Sequence, residues 1–107
     1  MYKHEWNRAM RIAASVGDVM LIGLFMAYGA DDIVGAIAVG NDSLFEHFAS
    51  VDPDIKNTAL IKFARTGQLE NVHRCMRQGA VNISEAIAAA ESSGHNNVAE
   101  FLRSYMA

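Results

Sequence analysis

Apolar residues recur along the chain three and four positions apart, in blocks separated by glycine. Ala9, Met10, Ala13 and Ala14 form one stripe, and Ala59, Leu60, Phe63 and Ala64 form another. A second kind of block follows a glycine each time: Ile22, Phe25 and Met26; Leu44, Phe45 and Phe48; Leu69, Val72 and Met76; Val98, Phe101 and Leu102. Such spacings gather apolar side chains on one face of a helix and do not alternate as a strand would. The pattern predicts pairs of short helices with a turn at the glycine. Small residues in the first helix allow close approach between helices, and larger ones in the second fill the space between layers.

The blocks are copies of one another. The stretch from Asn7 to Ile33 aligns without a gap on the stretch from Asn57 to Ile83. Identities fall at Asn7/Asn57, Ala9/Ala59, Ala14/Ala64, Gly17/Gly67, Met26/Met76, Gly29/Gly79, Ala30/Ala80 and Ile33/Ile83. A third copy runs from Ala86 to Ala107, and a degenerate one from Ala36 to Ile55. The marker glycines are then Gly17, Gly40, Gly67 and Gly94, spaced by 23, 27 and 27 residues. The short spacing lacks about one helical turn, which predicts a shortened first helix in the second copy. The repeats fall at about 5–30, 31–51, 52–80 and 81–107 of a single domain. Repeats of this kind build a quasi-linear stack, each layer touching only its neighbours.

Punctuation fits these boundaries. Asp18 follows Gly17 as an N-cap, Ser43 with Glu46 has capping-box spacing, and Asp52-Pro53 reads as N-cap and first helical residue. Gly29 and Gly79 stand where a helix ends in a left-handed residue. The longest apolar run, Val19 to Ala30, is too short for a membrane span, which needs about 20 residues. It reads as a buried helix. The first residues, Met1 to Trp6, carry Lys3 and Glu5 and do not read as a secretory signal.

Residues Thr58 to Asn82 resemble an ankyrin repeat. Thr58-Ala59-Leu60 resembles the opening of its first helix. Ala64, Gly67, Leu69-Glu70, Val72 and Gly79-Ala80 match its Ala, inter-helix Gly, Leu-Glu, Val and closing Gly-Ala. The first repeat matches through Ala13-Ala14, Gly17-Asp18 and Gly29-Ala30-Asp31, and the fourth through Gly94-His95. The resemblance implies an all-α, helical-pair solenoid of four short ankyrin-like repeats. The family repeat is about 33 residues and this one is about six shorter, so the hairpin fingers should be reduced or absent. The Thr-Pro-Leu-His signature is missing too, with Ile61 in place of its His. Short, degenerate repeats of this kind are similar to those of interaction proteins encoded by large DNA viruses. The resemblance implies a protein–protein interaction module acting in the cytoplasm, the host cytoplasm if the chain is viral.

Composition supports a folded chain without a reaction centre. Hydrophobic residues make up 51% of the sequence, enough for a core in a chain that buries roughly two thirds of its unfolded surface. The net charge of -3 disfavours nucleic acid as the main partner. His4, His47, His73 and His95 show no ligand spacing, so no metal is expected. Cys75, the single cysteine, aligns with Phe25 and reads as a small buried hydrophobe. No nucleophile elbow or phosphate loop is present, so no catalytic residue and no cofactor are expected, and the chain is not read as an enzyme.

What remains is the surface. From Asp31 to Pro53 there are five acidic residues and no Lys or Arg, whereas Lys56, Lys62, Arg65, Arg74 and Arg77 crowd the next repeat. Either the layers complement one another, or a two-signed face steers a charged partner. Lys62 and Arg65, three apart on one helix face, and Asp31 and Asp32, which open the preceding repeat, are the candidates. The acidic residues themselves lie at loops and helix starts, where capping and solvation account for them better than a cation or basic-partner site does. Trp6 either covers the open N-terminal layer or anchors a partner. The last layer is thinly capped, so self-association is a second expectation: a homo-oligomer that buries exposed apolar ends such as Val19 to Met26. The partner is a protein of unspecified identity, with no membrane and no nucleic acid.

Overall fold

The computed structural model describes residues 2–106. Among them the chain is all-helical, with no strand. Its helices are α1 (Lys3–Ser15), α2 (Val19–Ala27), α3 (Ile33–Val39), α4 (Asp42–Val51), α5 (Ile55–Arg65), α6 (Leu69–Arg77), α7 (Ile83–Ser92) and α8 (Asn96–Arg103). They fall into two compact units, one ending at Val51 and the other beginning at Asp52.

In the first unit α1 packs on α2 and on α3, and α3 packs on α4. In the second, α5 packs on α6 and α7, α7 on α8, and α6 on α8. First helices therefore neighbour first helices, which is consistent with the expected helical-pair arrangement. The alanines make this possible. Ala13 and Ala14 in α1, Ala59 and Ala64 in α5, and Ala86 and Ala90 in α7 are all buried. Met10, Phe63 and Leu60 fill the first helices' inner faces, and Ile22, Val72, Cys75, Val98 and Leu102 those of the second helices.

Five turns share one mechanism. Gly17, Gly29, Gly67, Gly79 and Gly94 have φ of 76, 117, 73, 90 and 79 degrees. At each, the glycine and the residue after it donate their N–H groups back into the last turn of the helix. Gly67 donates to Ala64 O and Gln68 to Phe63 O; Gly29 donates to Met26 O and Ala30 to Phe25 O. This is the Schellman closure, and it uses a left-handed residue that glycine adopts without penalty.

Gly40 departs from the set. Its φ is -84 and its ψ 173, so the backbone is extended there. The helix before it, α3, has 7 residues and is the shortest of the eight. The missing turn is where the sequence spacing placed it, and the chain passes straight from α3 into Asn41 without a left-handed step. Asn41 then caps α4, its Oδ1 accepting the Leu44 N–H at 2.9 Å. The expected Ser43–Glu46 capping box is therefore not the cap: the cap lies two residues earlier, and Ser43 is already inside α4. Asp18 caps α2 as expected, accepting from Leu21 N–H at 3.0 Å. α5 begins two residues later than the Asp52-Pro53 pair suggests. Asp52 still accepts the Asp54 N–H at 3.1 Å and orders the turn that leads in.

Candidate interaction surface

Asn7 and Asn57 explain their own identity. From α1, Asn7 Oδ1 accepts the Asp31 N–H at 2.7 Å and the Asp32 N–H at 3.0 Å, and its Nδ2 donates to Asp31 Oδ1. From α5, Asn57 Oδ1 accepts the Val81 N–H at 2.9 Å, and its main-chain oxygen accepts from Asn82 Nδ2 at 3.0 Å. In each unit a first-helix amide fastens the loop that opens the next first helix. That loop is five residues without a strand, so no hairpin finger stands there.

This tie fixes the candidate residues Asp31 and Asp32. Asp31 forms an ion pair with Lys3 at 3.1 Å. The Asn7 amide bond first, and then the bond to Lys3, hold its carboxyl below the ordinary carboxylate value. Asp32 caps α3 through the Gly35 N–H at 3.0 Å and meets Arg11 Nη1 at 3.0 Å. Both acids are thus engaged inside the first unit. A group whose folded pKa is lowered adds stability that is present above its unfolded value and is lost as pH falls through the folded one. Urea midpoints taken from about pH 5 to about pH 3 should fall less steeply for Asp31→Asn than for the unchanged chain. Equal slopes would show that the pair with Lys3 and Asn7 contributes nothing to folding.

Lys62 and Arg65 lie exposed on the last turn of α5, in the second unit. Arg65 borders a shallow groove with Ile61, Glu85, Ala88, Ala89 and Ser92, on the side where α5 and α7 meet. Trp6 is half-buried rather than free. Its ring stacks on Tyr28 with centroids 4.9 Å apart and lies 5.8 Å from Phe25. It packs α1 against the end of α2.

The buried-helix expectation for the long apolar run does not hold. Ile22 is the only buried residue of α2, with Phe25 and Met26 half-buried. The outer arc carries Val19, Met20, Leu21, Gly23, Leu24, Ala27 and Tyr28, all exposed. At 3.6 residues per turn these positions sweep about 200° of the helix. Met20 is 88% exposed, Tyr28 59% and Leu24 47%. A groove bordered by Asp18, Met20, Leu21 and Leu24 runs along it.

The equivalent helix α6 has a different outer arc. Met20, Gly23, Leu24, Ala27 and Tyr28 correspond to Glu70, His73, Arg74, Arg77 and Gln78. There, α8 lies against His73, whose ring centroid is 3.8 Å from that of Phe101. Arg74 is buried and donates to Asn71 Oδ1 at 2.7 Å. Sequence reasoning noticed the α2 residues but not which arc would be left open. The signal was available in the comparison of the two aligned helices.

Cys75 is fully buried, and burial pushes its thiol up to about 12, so it is held as the unreactive thiol, in keeping with a small core residue. No group of three metal-ligating side chains comes together among the described residues. No helix among them is long and apolar enough to cross a membrane. No family model, characterised protein or solved structure matches this chain.

Proposed function

We propose that this chain is a protein–protein interaction module. The observation that carries the reading is the outer arc of α2: seven exposed positions between Val19 and Tyr28 without a charged side chain, on a helix whose aligned counterpart is polar. Apolar patches of this extent on a small chain mark binding surfaces. The ankyrin-like repeats support the same reading, since such repeats present side chains that their own stack does not consume. On that resemblance the module works in the cytoplasm, the host cytoplasm for a virally encoded chain. Lys62 and Arg65 offer a cationic surface for steering a partner. A homo-oligomer is the second reading, favoured by the same arc.

A photoreactive amino acid at position 24, in cells that express the chain, tests this. Protein adducts should form there well above the level from the same probe at position 70. Adducts no more abundant at 24 than at 70 would overturn the proposal.

A further inference from the structure

We infer that the outer arc of α2 is occupied by the α2 of a second copy of this chain, packed antiparallel across a two-fold axis. The inference rests on the interaction reading above and names the partner.

Four residues run down the centre of the arc: Met20, Gly23, Leu24 and Ala27. Two are large and two are small. A Cβ built on Gly23 would meet nothing within 4 Å, so a dent lies open between Met20 and Leu24. In an antiparallel pair whose axis passes between residues 23 and 24, Met20 faces Ala27 of the second copy and Leu24 faces its Gly23. Every large residue then fills the space over a small one, as close helix packing requires. A parallel pair would set Leu24 on Leu24 and Gly23 on Gly23, crowding one level and leaving a void at another. The antiparallel arrangement also opposes the two helix dipoles. At the margins it brings Val19 against Tyr28.

Charge and area agree. From Val19 to Ala30 there is no charged side chain, and Asp18, at the edge of the groove, is engaged in capping α2 through the Leu21 N–H, so a charged peptide finds no counter-charge along the arc itself. An identical arc needs none. Val19, Met20, Leu21, Leu24 and Tyr28 together expose on the order of 600 Å², the upper end of the largest apolar patch on an ordinary monomer. Two such faces would bury at most about 1,200 Å² between them, where specific stable interfaces begin. Isologous two-fold contact is also the commonest closed assembly.

Sedimentation and cysteine pairing of the purified chain test the inference. The chain should sediment as a dimer. Leu24→Glu should sediment as a monomer with unchanged helical circular dichroism, because the change lies on an exposed arc. Placing two unpaired carboxylates in the contact should weaken association by roughly 100-fold or more. Mixing Met20→Cys with Ala27→Cys under mild oxidant should give a cross-linked pair, whereas Met20→Cys alone should not. In the antiparallel register the two copies of residue 20 lie about 10 Å apart along the axis, beyond the reach of a disulfide. Cys75 does not interfere, being buried and held as the thiol.

A monomeric wild type overturns the inference, and so does a dimer that survives Leu24→Glu. Cross-linking of Met20→Cys with itself, but not with Ala27→Cys, overturns the antiparallel register. A monomer whose position 24 photocrosslinks to a different protein defeats the second copy and leaves the interaction module standing. A monomer with no such adduct defeats both.

Discussion

Replacing Gly67 by Val should lower the stability of the second unit by about 3 kcal/mol or more, and replacing Gly94 by Val should cost visibly less. Both glycines close a first helix in left-handed backbone, with φ of 73 and 79 degrees. A β-branched residue there is an outlier for steric reasons, and holding it costs about 1–3 kcal/mol. That strain is common to the two variants. What differs is the space. A Cβ on Gly67 would lie 2.6 Å from His95 Nδ1 and 2.7 Å from its Cε1, whereas a Cβ on Gly94 meets nothing within 4 Å. His95 is itself the N-cap residue of α8, and its N–H is bonded to Ala90 O at 2.8 Å, so its backbone is poorly placed to retreat. Urea unfolding of the two variants measures the difference. His95→Ala in the Gly67→Val background should restore it to the Gly94→Val level. Equal midpoints for the two valine variants would mean that the imidazole swings aside freely. An unchanged midpoint for both would mean that the turns carry no left-handed constraint.

The same turns show what a one-dimensional reading can reach. Gly, followed by a cap and a new apolar stripe, specifies a helix end by local sterics alone, and five of the turns are legible in that way. Gly40 looks identical in sequence yet is extended, with φ of -84 and ψ of 173 degrees, and nothing local in the sequence marks the difference. The cap moves with it: Asn41 takes the place that Ser43 and Glu46 would fill in a longer helix. Burial of Cys75 is legible because it falls on the apolar stripe of a second helix, three residues after Val72. The exposure of α2 is not. A stripe tells which side of a helix faces inward only when the other side is polar, and α2 is apolar all round. Its open arc shows only when the packing of α1 and the polarity of α6 are set beside it. Asp31 and Asp32 are recognisable as helix-opening acids, but their partners Lys3, Asn7 and Arg11 lie more than twenty residues away. No local rule brings such pairs together.

Asn7→Ala should destabilise the first unit by about 2 kcal/mol, against about 1 kcal/mol for Asn57→Ala in the second, counting about 1 kcal/mol for each backbone hydrogen bond lost. Asn7 accepts two main-chain N–H groups, those of Asp31 and Asp32, whereas the Asn57 side chain accepts one, that of Val81. The Asn57 side chain also donates to Asp54 Oδ1 at 3.2 Å, an exposed bond between side chains, and the link to Asn82 uses the Asn57 main-chain oxygen, which alanine keeps. Asn7 also donates to Asp31 Oδ1, the first cause of that carboxyl's lowered pKa. Its removal should let Asp31 titrate closer to its ordinary value and flatten the acid limb of the stability profile. The effect should be local. Asp32 caps α3, the shortest helix, and residues 34–41 follow directly from the loop that Asn7 holds. Amide hydrogen exchange there should quicken in Asn7→Ala more than in α1 or α4, because α3 would open without the rest of the unit. Unfolding midpoints for the two alanine variants, with exchange rates across the first unit, check this together. Equal losses at Asn7 and Asn57, with uniform exchange across α1 to α4, would show that the amide bonds are incidental and that apolar packing alone holds α3 in place.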